Sequence, residues 1–193
     1  MTFSPLVDAA AKGLHDESSL IATPSQQLVL MHSTAASYRT VHDELHPPGG
    51  IDHRVQFYED EDYLASAVAD FLAGGLTIGQ PGIVIATDAH RAAFAEHLES
   101  EGFDVEAEVR AGHLAMLDAR TTLDQIMRDA SPDPARFRTV IGGAIEAHFD
   151  ADGADRPVVR LYGEMVDLLW RDGNTDASLR VEELWNALGD TYA

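Results

Sequence analysis

No cysteine occurs among the 193 residues. Disulfides, thiolate metal centres and cysteine nucleophiles are excluded together. Positive charge is almost as scarce. Thirteen Lys and Arg stand against 33 Asp and Glu, for a formal net charge of -20, and lysine occurs once, at Lys12. A surface this acidic repels phosphate backbones, so no direct nucleic-acid partner is expected. Long apolar runs are also lacking. Stretches such as 82–86 and 165–170 fall far short of the roughly 20 residues of a spanning helix, so no membrane segment is expected. The start, "MTFSPLVDAAAKGLHDESS", has no charged region leading into an apolar core. A secretory leader is therefore not expected, and the chain reads as cytoplasmic.

Nucleotide chemistry fails on the same scarcity. A P-loop needs Gly-x4-Gly-Lys-Ser/Thr, because its lysine reaches the terminal phosphates. Lys12 sits in "AAAKGL", away from any strand-to-helix turn. The turn after "GIVIAT" reads "DAHRAAF", with no glycine and an Asp where phosphate would lie. The glycines of "GGLTIGQPG" precede that strand instead of coming after it. No Gly-x-Ser-x-Gly elbow marks a serine nucleophile. No cofactor and no catalytic residue is expected.

Against these absences stands a 45% hydrophobic content, enough for a substantial core. "HDELHPPGG" (42–50) reads as a boundary, because paired prolines stop a helix and paired glycines loosen the chain beyond them. Before it, Leu28, Met31, Ala35, Tyr38, Val41 and Leu45 recur at steps of three and four, which predicts an amphipathic helix. Residues 1–50 are thus expected to be an N-terminal helical extension, offering a homodimer or partner surface. Residues 51–193 are expected to form the main domain.

That domain alternates strands and helices. "HRVQFY" (53–58), "GIVIAT" (82–87), "HLAMLDA" (113–119) and "RPVVRLYG" (156–163) read as strands, and "GFDV" leads to a weak one. Helices are expected over "EDEDYLASAVADFLAGGL", from Asp88 to about Ser100, from Thr121 or Thr122, from Pro134 toward His148, and twice after Gly163. The pattern predicts an α/β sandwich around a mainly parallel sheet. Ligands of such sheets gather at the carboxyl ends of the strands, which directs attention to Tyr58 and Glu59, Thr87 and Asp88, Asp118, and residues 162–164.

The histidines divide. His42 and His46, four apart, could share a metal with His53 as third ligand. A zincin places Glu directly after the first His, and here that position holds Asp43. A His-rich helix terminus, complementing the dipole, explains the pair better. His90 and His97 read as surface residues of a helix. Arg160, Tyr162 and Glu164 step at period two to a strand end. There Glu164 could serve a ligand or simply open a helix.

The assembled pattern resembles the MEDS domain, the methanogen/methylotroph sensory domain named for a dichloromethane-responsive regulator. The matching pieces are "HRVQFYEDEDYL" (53–64), "FLAGGLTIGQPGIVIATDAHRAAFAEHLESEGFDV" (71–105), "GHLAMLDARTTLDQIM" (112–127), "PDPARF" (132–137), "VRLYGEMVDLLWRDG" (159–173) and "LRVEELWNAL" (179–188). The resemblance implies a RecA/KaiC-like three-layer fold that has lost its P-loop. It also implies a non-enzymatic sensory role. The domain would bind a small, apolar organic ligand and pass the signal to a kinase, an anti-sigma module or a DNA-binding regulator. Family motif positions fall on His53, Phe57, Tyr58, Asp118, Tyr162, Gly163, Glu164 and Trp185. With Arg160 from the strand pattern, these residues are the expected ligand site, and His53, Tyr58 and Glu164 are its polar side. Family members often continue into a final apolar strand, whereas this sequence stops at "GDTYA". An edge of the sheet is then missing or supplied otherwise. Two alternatives stay open: a ligand-free protein-interaction module, and a metal-dependent hydrolase using His42, His46 and His53.

Overall fold

The structure, a computed structural model, describes residues 27–33, 52–58, 60–149 and 157–192, the first two segments as strand backbone. Five strands form the main sheet: β1 (Gln27–Ser33), β2 (Asp52–Tyr58), β3 (Gly82–Ala86), β4 (Leu114–Asp118) and, from late in the chain, β7 (Arg160–Gly163). Their order is β2-β1-β7-β3-β4. Strand β3 runs parallel to β4 and β7, while β1 is antiparallel to both β2 and β7. Four of the five strands therefore point the same way, and β1 alone opposes them.

Strand β1 corrects the sequence reading. Residues 27–33 were expected within an amphipathic helix of a separate extension, yet they form a strand inside the domain's sheet. Leu28-Val29-Leu30-Met31 is a continuous apolar run, and such a run also suits a strand covered on both faces. Its helical period came from spacing shared with residues 35–45, and the pairing offered by β2 and β7 overrides it. The rest of the expected extension, with His42 and His46, lies outside the described residues.

Five of the helices begin at a side-chain cap. Asp60 Oδ1 accepts from the amides of Asp62 (2.9 Å) and Tyr63 (3.2 Å), opening α1 (Glu61–Leu76). Thr87 caps α2 (Asp88–Ser100). Asp104 accepts from Ala107 N at 2.8 Å and opens α3 (Val105–Ala111), where the sequence suggested a weak strand. The cap and the helix-forming run "VEAEVRA" prevail over the short apolar signal. Asp118 accepts from Thr121 N at 2.8 Å and opens α4 (Ala119–Ile126). Asp133, with Pro134 next, opens α5 (Pro134–Phe137). The chain continues through a π-helical turn (Arg138–Gly142) into α6 (Gly143–Glu146). Helices α7 (Met165–Arg171) and α8 (Thr175–Tyr192) close the fold. A two-stranded ribbon, β5 (Met127–Arg128) and β6 (Ser131–Pro132), turns through Asp129 and Ala130, both at positive φ.

Two cores flank the sheet. Val84, Ala86 and Tyr162 pack with α1, α2 and Val105 of α3 on one face. Ile83, Ile85 and Leu161 pack with α4, Phe137, Ile141, α7 and α8 on the other. The alternation along β3 and β7 reflects the two-residue period of a strand. Helices α1 and α2 lie on one face because the chain moves β2 to β3 to β4 in a single direction. It crosses to the other face when it returns from β4 to β7. One-handed crossovers demand that exchange.

Candidate functional site

Strands β3 and β7 are parallel neighbours, but the chain leaves them toward opposite faces. Beyond β3 it enters α2, and beyond β7 it enters α7. Their carboxyl ends thus frame a topological switch point, where open α/β sheets hold their ligands.

Glu164 occupies this crevice and is 3% exposed. It stands at the N-cap position of α7, yet its side chain makes no cap bond there. The carboxylate reaches across to β3 and α2 instead. Oε1 accepts from the Thr87 amide, Oε2 pairs with His90 Nδ1, and the Tyr162 hydroxyl donates to Oε2 at 3.4 Å. Its backbone amide is held by Ile85 O at 3.1 Å. The amino end of α2 carries partial positive charge and free N–H groups, the natural seat of an anion. In this chain a carboxylate of the protein's own fills that seat.

An aromatic series backs the polar group. His90 stacks on Phe94 at 5.8 Å, and Phe94 meets Tyr162 edge-on at 4.9 Å. The hydrogen bond to Glu164 holds His90 above its ordinary pKa. Burial opposes the rise, and the charges of Glu164 and Glu61 add to it. The unit is thus a buried carboxylate joined to a histidine whose charged form it favours.

On the β4 side, Arg91 of α2 pairs with Asp88 and reaches Asp118 Oδ2 at 3.7 Å. The Thr121 amide holds the Asp118 carboxyl below the usual range. Asp118 therefore caps α4 and forms the outer rim of the same end of the sheet.

The expected site residues separate in space. Tyr162 and Glu164 meet directly, whereas Asp118 stands apart at the end of β4, paired with Arg91 of α2. Arg160 lies at the amino end of β7, where its Nε donates to Gln80 Oε1 at 3.0 Å, and Nη1 to Phe71 O. Trp185 belongs to the opposite core, edge-on to Phe137 at 5.1 Å. A Cβ placed on Gly163 would stand 3.6 Å from its ring, so Trp185 backs the strand end from beneath. In β2, His53 is level with Leu161 through His32, while Phe57 and Tyr58 lie toward the carboxyl end. Five residues of extended chain, about 16 Å, separate His53 from Tyr58. The backbone thus places these two at opposite ends of one strand.

His90 is the participant that the sequence reading passed over, while Thr87 stood among the strand-end positions it singled out. The signal was present in "ATDAHR". Helical side chains lean toward the amino terminus, so a residue three beyond an N-cap overhangs the preceding strand end.

Among the described residues, no group of three or more His, Asp or Glu is placed to hold a metal ion. A groove of about 390 Å³, lined by Gln125, Arg128, Asp133, Arg136, Thr139 and Val140, opens at the far end of α4 and contains none of the expected site residues. No described helix is long and apolar enough to cross a membrane.

No curated protein and no solved structure matches the chain. The model of one family does, over residues 52–193: MEDS, the MEthanogen/methylotroph, DcmR Sensory domain. That span covers most of the sequence and contains β2 and everything after it, including Thr87, His90, Tyr162 and Glu164. The chain belongs to the MEDS family of sensory domains.

Proposed function

We propose that this chain is a non-enzymatic sensor on a RecA-like scaffold that no longer serves nucleotide. It binds a small organic molecule at the carboxyl ends of β3 and β7 and relays the event to a regulatory protein. One observation supports the reading most directly: Glu164 accepts the Thr87 amide at the head of α2. Phosphate would meet a carboxylate in this position, which disfavours nucleotide. A neutral, largely apolar ligand suits the Phe94 and Tyr162 rings, with the Glu164–His90 pair as its polar contact. The partner would be a kinase, an anti-sigma factor or a DNA-binding regulator.

A second reading, a protein-interaction module without a ligand, draws on the same unit. The acceptors of Glu164 are already engaged by the protein, and the groove near Arg128 lies elsewhere.

Native mass spectrometry of the chain purified from its own host separates these readings. A bound small-molecule mass that weakens in Glu164→Gln is expected. A ligand-free spectrum whose species carry a stoichiometric protein partner would favour the second reading. Tight, magnesium-dependent ATP binding by calorimetry would overturn both.

A further inference from the structure

Strand β1 has an unusual position. It lies outside the family match, which begins at residue 52, yet it sits inside the sheet between β2 and β7. All seven of its residues stand opposite β2, and Leu30 to Ser33 also stand opposite Gly163 to Arg160. Without β1, β2 and β7 would be two strand spacings apart, roughly 9.5 Å, too far to bond each other. Two facing rows of N–H and C=O groups would be left open. The matched domain therefore presents a slot for one antiparallel strand.

The connection between occupant and slot is long. Residues 34–51 number 18, where hairpin loops commonly use 2–5. At about 3.3 Å per residue this length reaches nearly 60 Å at full extension, the scale of a neighbouring molecule. Every further copy of the chain carries the same "QLVLMHS". Exchange between two copies would restore every strand pairing and create no new contact chemistry, which makes it a low-cost route to a dimer.

We propose that Gln27–Ser33 is an exchangeable strand and that the chain dimerises by trading it, each copy filling the β2–β7 slot of the other. The expected homodimer surface of the N-terminal region becomes a strand swap instead of a helix face. Leu30 faces Gly163, the residue before Glu164, so occupation of the slot bears on the backbone that carries the Glu164–His90 unit. The inference rests on β1 and its partners and does not need a ligand.

The absence of cysteine gives a clean test. His32 and His53 face each other across β1 and β2, and directly opposed antiparallel residues lie within disulfide reach. Single variants His32→Cys and His53→Cys are mixed, incubated and mildly oxidised, and cross-links are read by intact mass. An inter-chain 32–53 disulfide is expected, at least tenfold above a control mixture of His32→Cys with Tyr58→Cys, which stands five positions out of register. Its yield should rise with ionic strength, which screens the repulsion between two acidic chains. A chain carrying both His32→Cys and His53→Cys, oxidised at high dilution, reports whether β1 lies beside β2. If that chain closes on itself while the mixture gives no more than the control, the strand stays with its own chain and the proposal falls. If the double variant forms no 32–53 disulfide, within or between chains, β1 is not in the slot, and the proposal falls as well.

Discussion

Strand β7 has a charged side chain at each end, Arg160 half-buried and Glu164 buried, and the two are handled differently. At its amino end, Arg160 donates to Gln80 and to the Phe71 carbonyl, and its guanidinium lies 5.1 Å from the centre of the Phe71 ring. None of these partners gains or loses a proton near neutrality. At its carboxyl end, Glu164 is met by an amide, a phenol and the His90 imidazole. The first arrangement clamps the end of α1 to the sheet. The second joins two elements through a histidine that can gain or lose a proton. The carboxyl end can therefore answer to its surroundings, and the amino end cannot.

Removing the charge at the responsive end should have the largest effect. Glu164→Ala removes the acceptor of the Thr87 amide and the partner of His90 from a buried place, and should cost about 3–4 kcal/mol in denaturant unfolding. Glu164→Gln keeps an acceptor and should cost less than half as much. Equal losses would mean that the carboxylate charge contributes nothing.

A carboxylate governed by burial behaves in the opposite way. Loss of water pushes Glu182 on α8 up to about 7. Its folded pKa exceeds the unfolded value, so the stability linked to it is present below about pH 4.5 and is lost as pH rises through 7. Glu182→Gln should flatten the decline between those values, by up to about 3 kcal/mol. Unfolding midpoints at pH 4.5, 6 and 8 test this, and an unchanged slope would contradict it.

The clamped end can be broken through a glycine. A Cβ on Gly75 would stand 2.6 Å from Arg160 Cδ and 2.8 Å from Nε. Gly75→Ala must displace the guanidinium, and should cost about 2 kcal/mol despite the better helix propensity of alanine. A stabilised Gly75→Ala would show that Arg160 is free to move.

Titration sharpens the contrast. The His90 pKa is raised, so the stability it contributes is complete below 6.5 and is lost as pH rises through the folded value. His90→Gln should abolish that loss, and Gly75→Ala should leave it intact. A control away from both ends should show the smallest effect. Ala130 holds φ at 64° in the β5–β6 turn, so Ala130→Gly should stabilise by about 1 kcal/mol with no change in pH profile.

The readable parts of this fold are those with local causes. A continuous apolar run made "GIVIA" a strand, "EDEDYLASAVADFLAGGL" and Pro134 announced their helices, and Tyr162 and Glu164 stood out at a strand end. The misread parts depended on distant partners. Leu28 to Met31 satisfies both periods, and β2 and β7 decided between them. His90 looked like one more polar residue on a helix, because its partner lies 74 positions away. Arg160 and Tyr162, two apart in sequence, were grouped as one site although they serve opposite ends of a strand.

Composition and local pattern alone exclude thiol chemistry and a lysine-bearing phosphate loop, and they establish an alternating α/β chain. Those conclusions need only residue identity and spacing, which the chain carries wherever it folds. The tertiary structure decided that β1 fills the sheet between β2 and β7, and that a glutamate from the end of β7 takes the anion seat of α2. Both outcomes come from crossovers that bring remote backbone together, where pairing and burial outweigh the weaker preferences of a local segment.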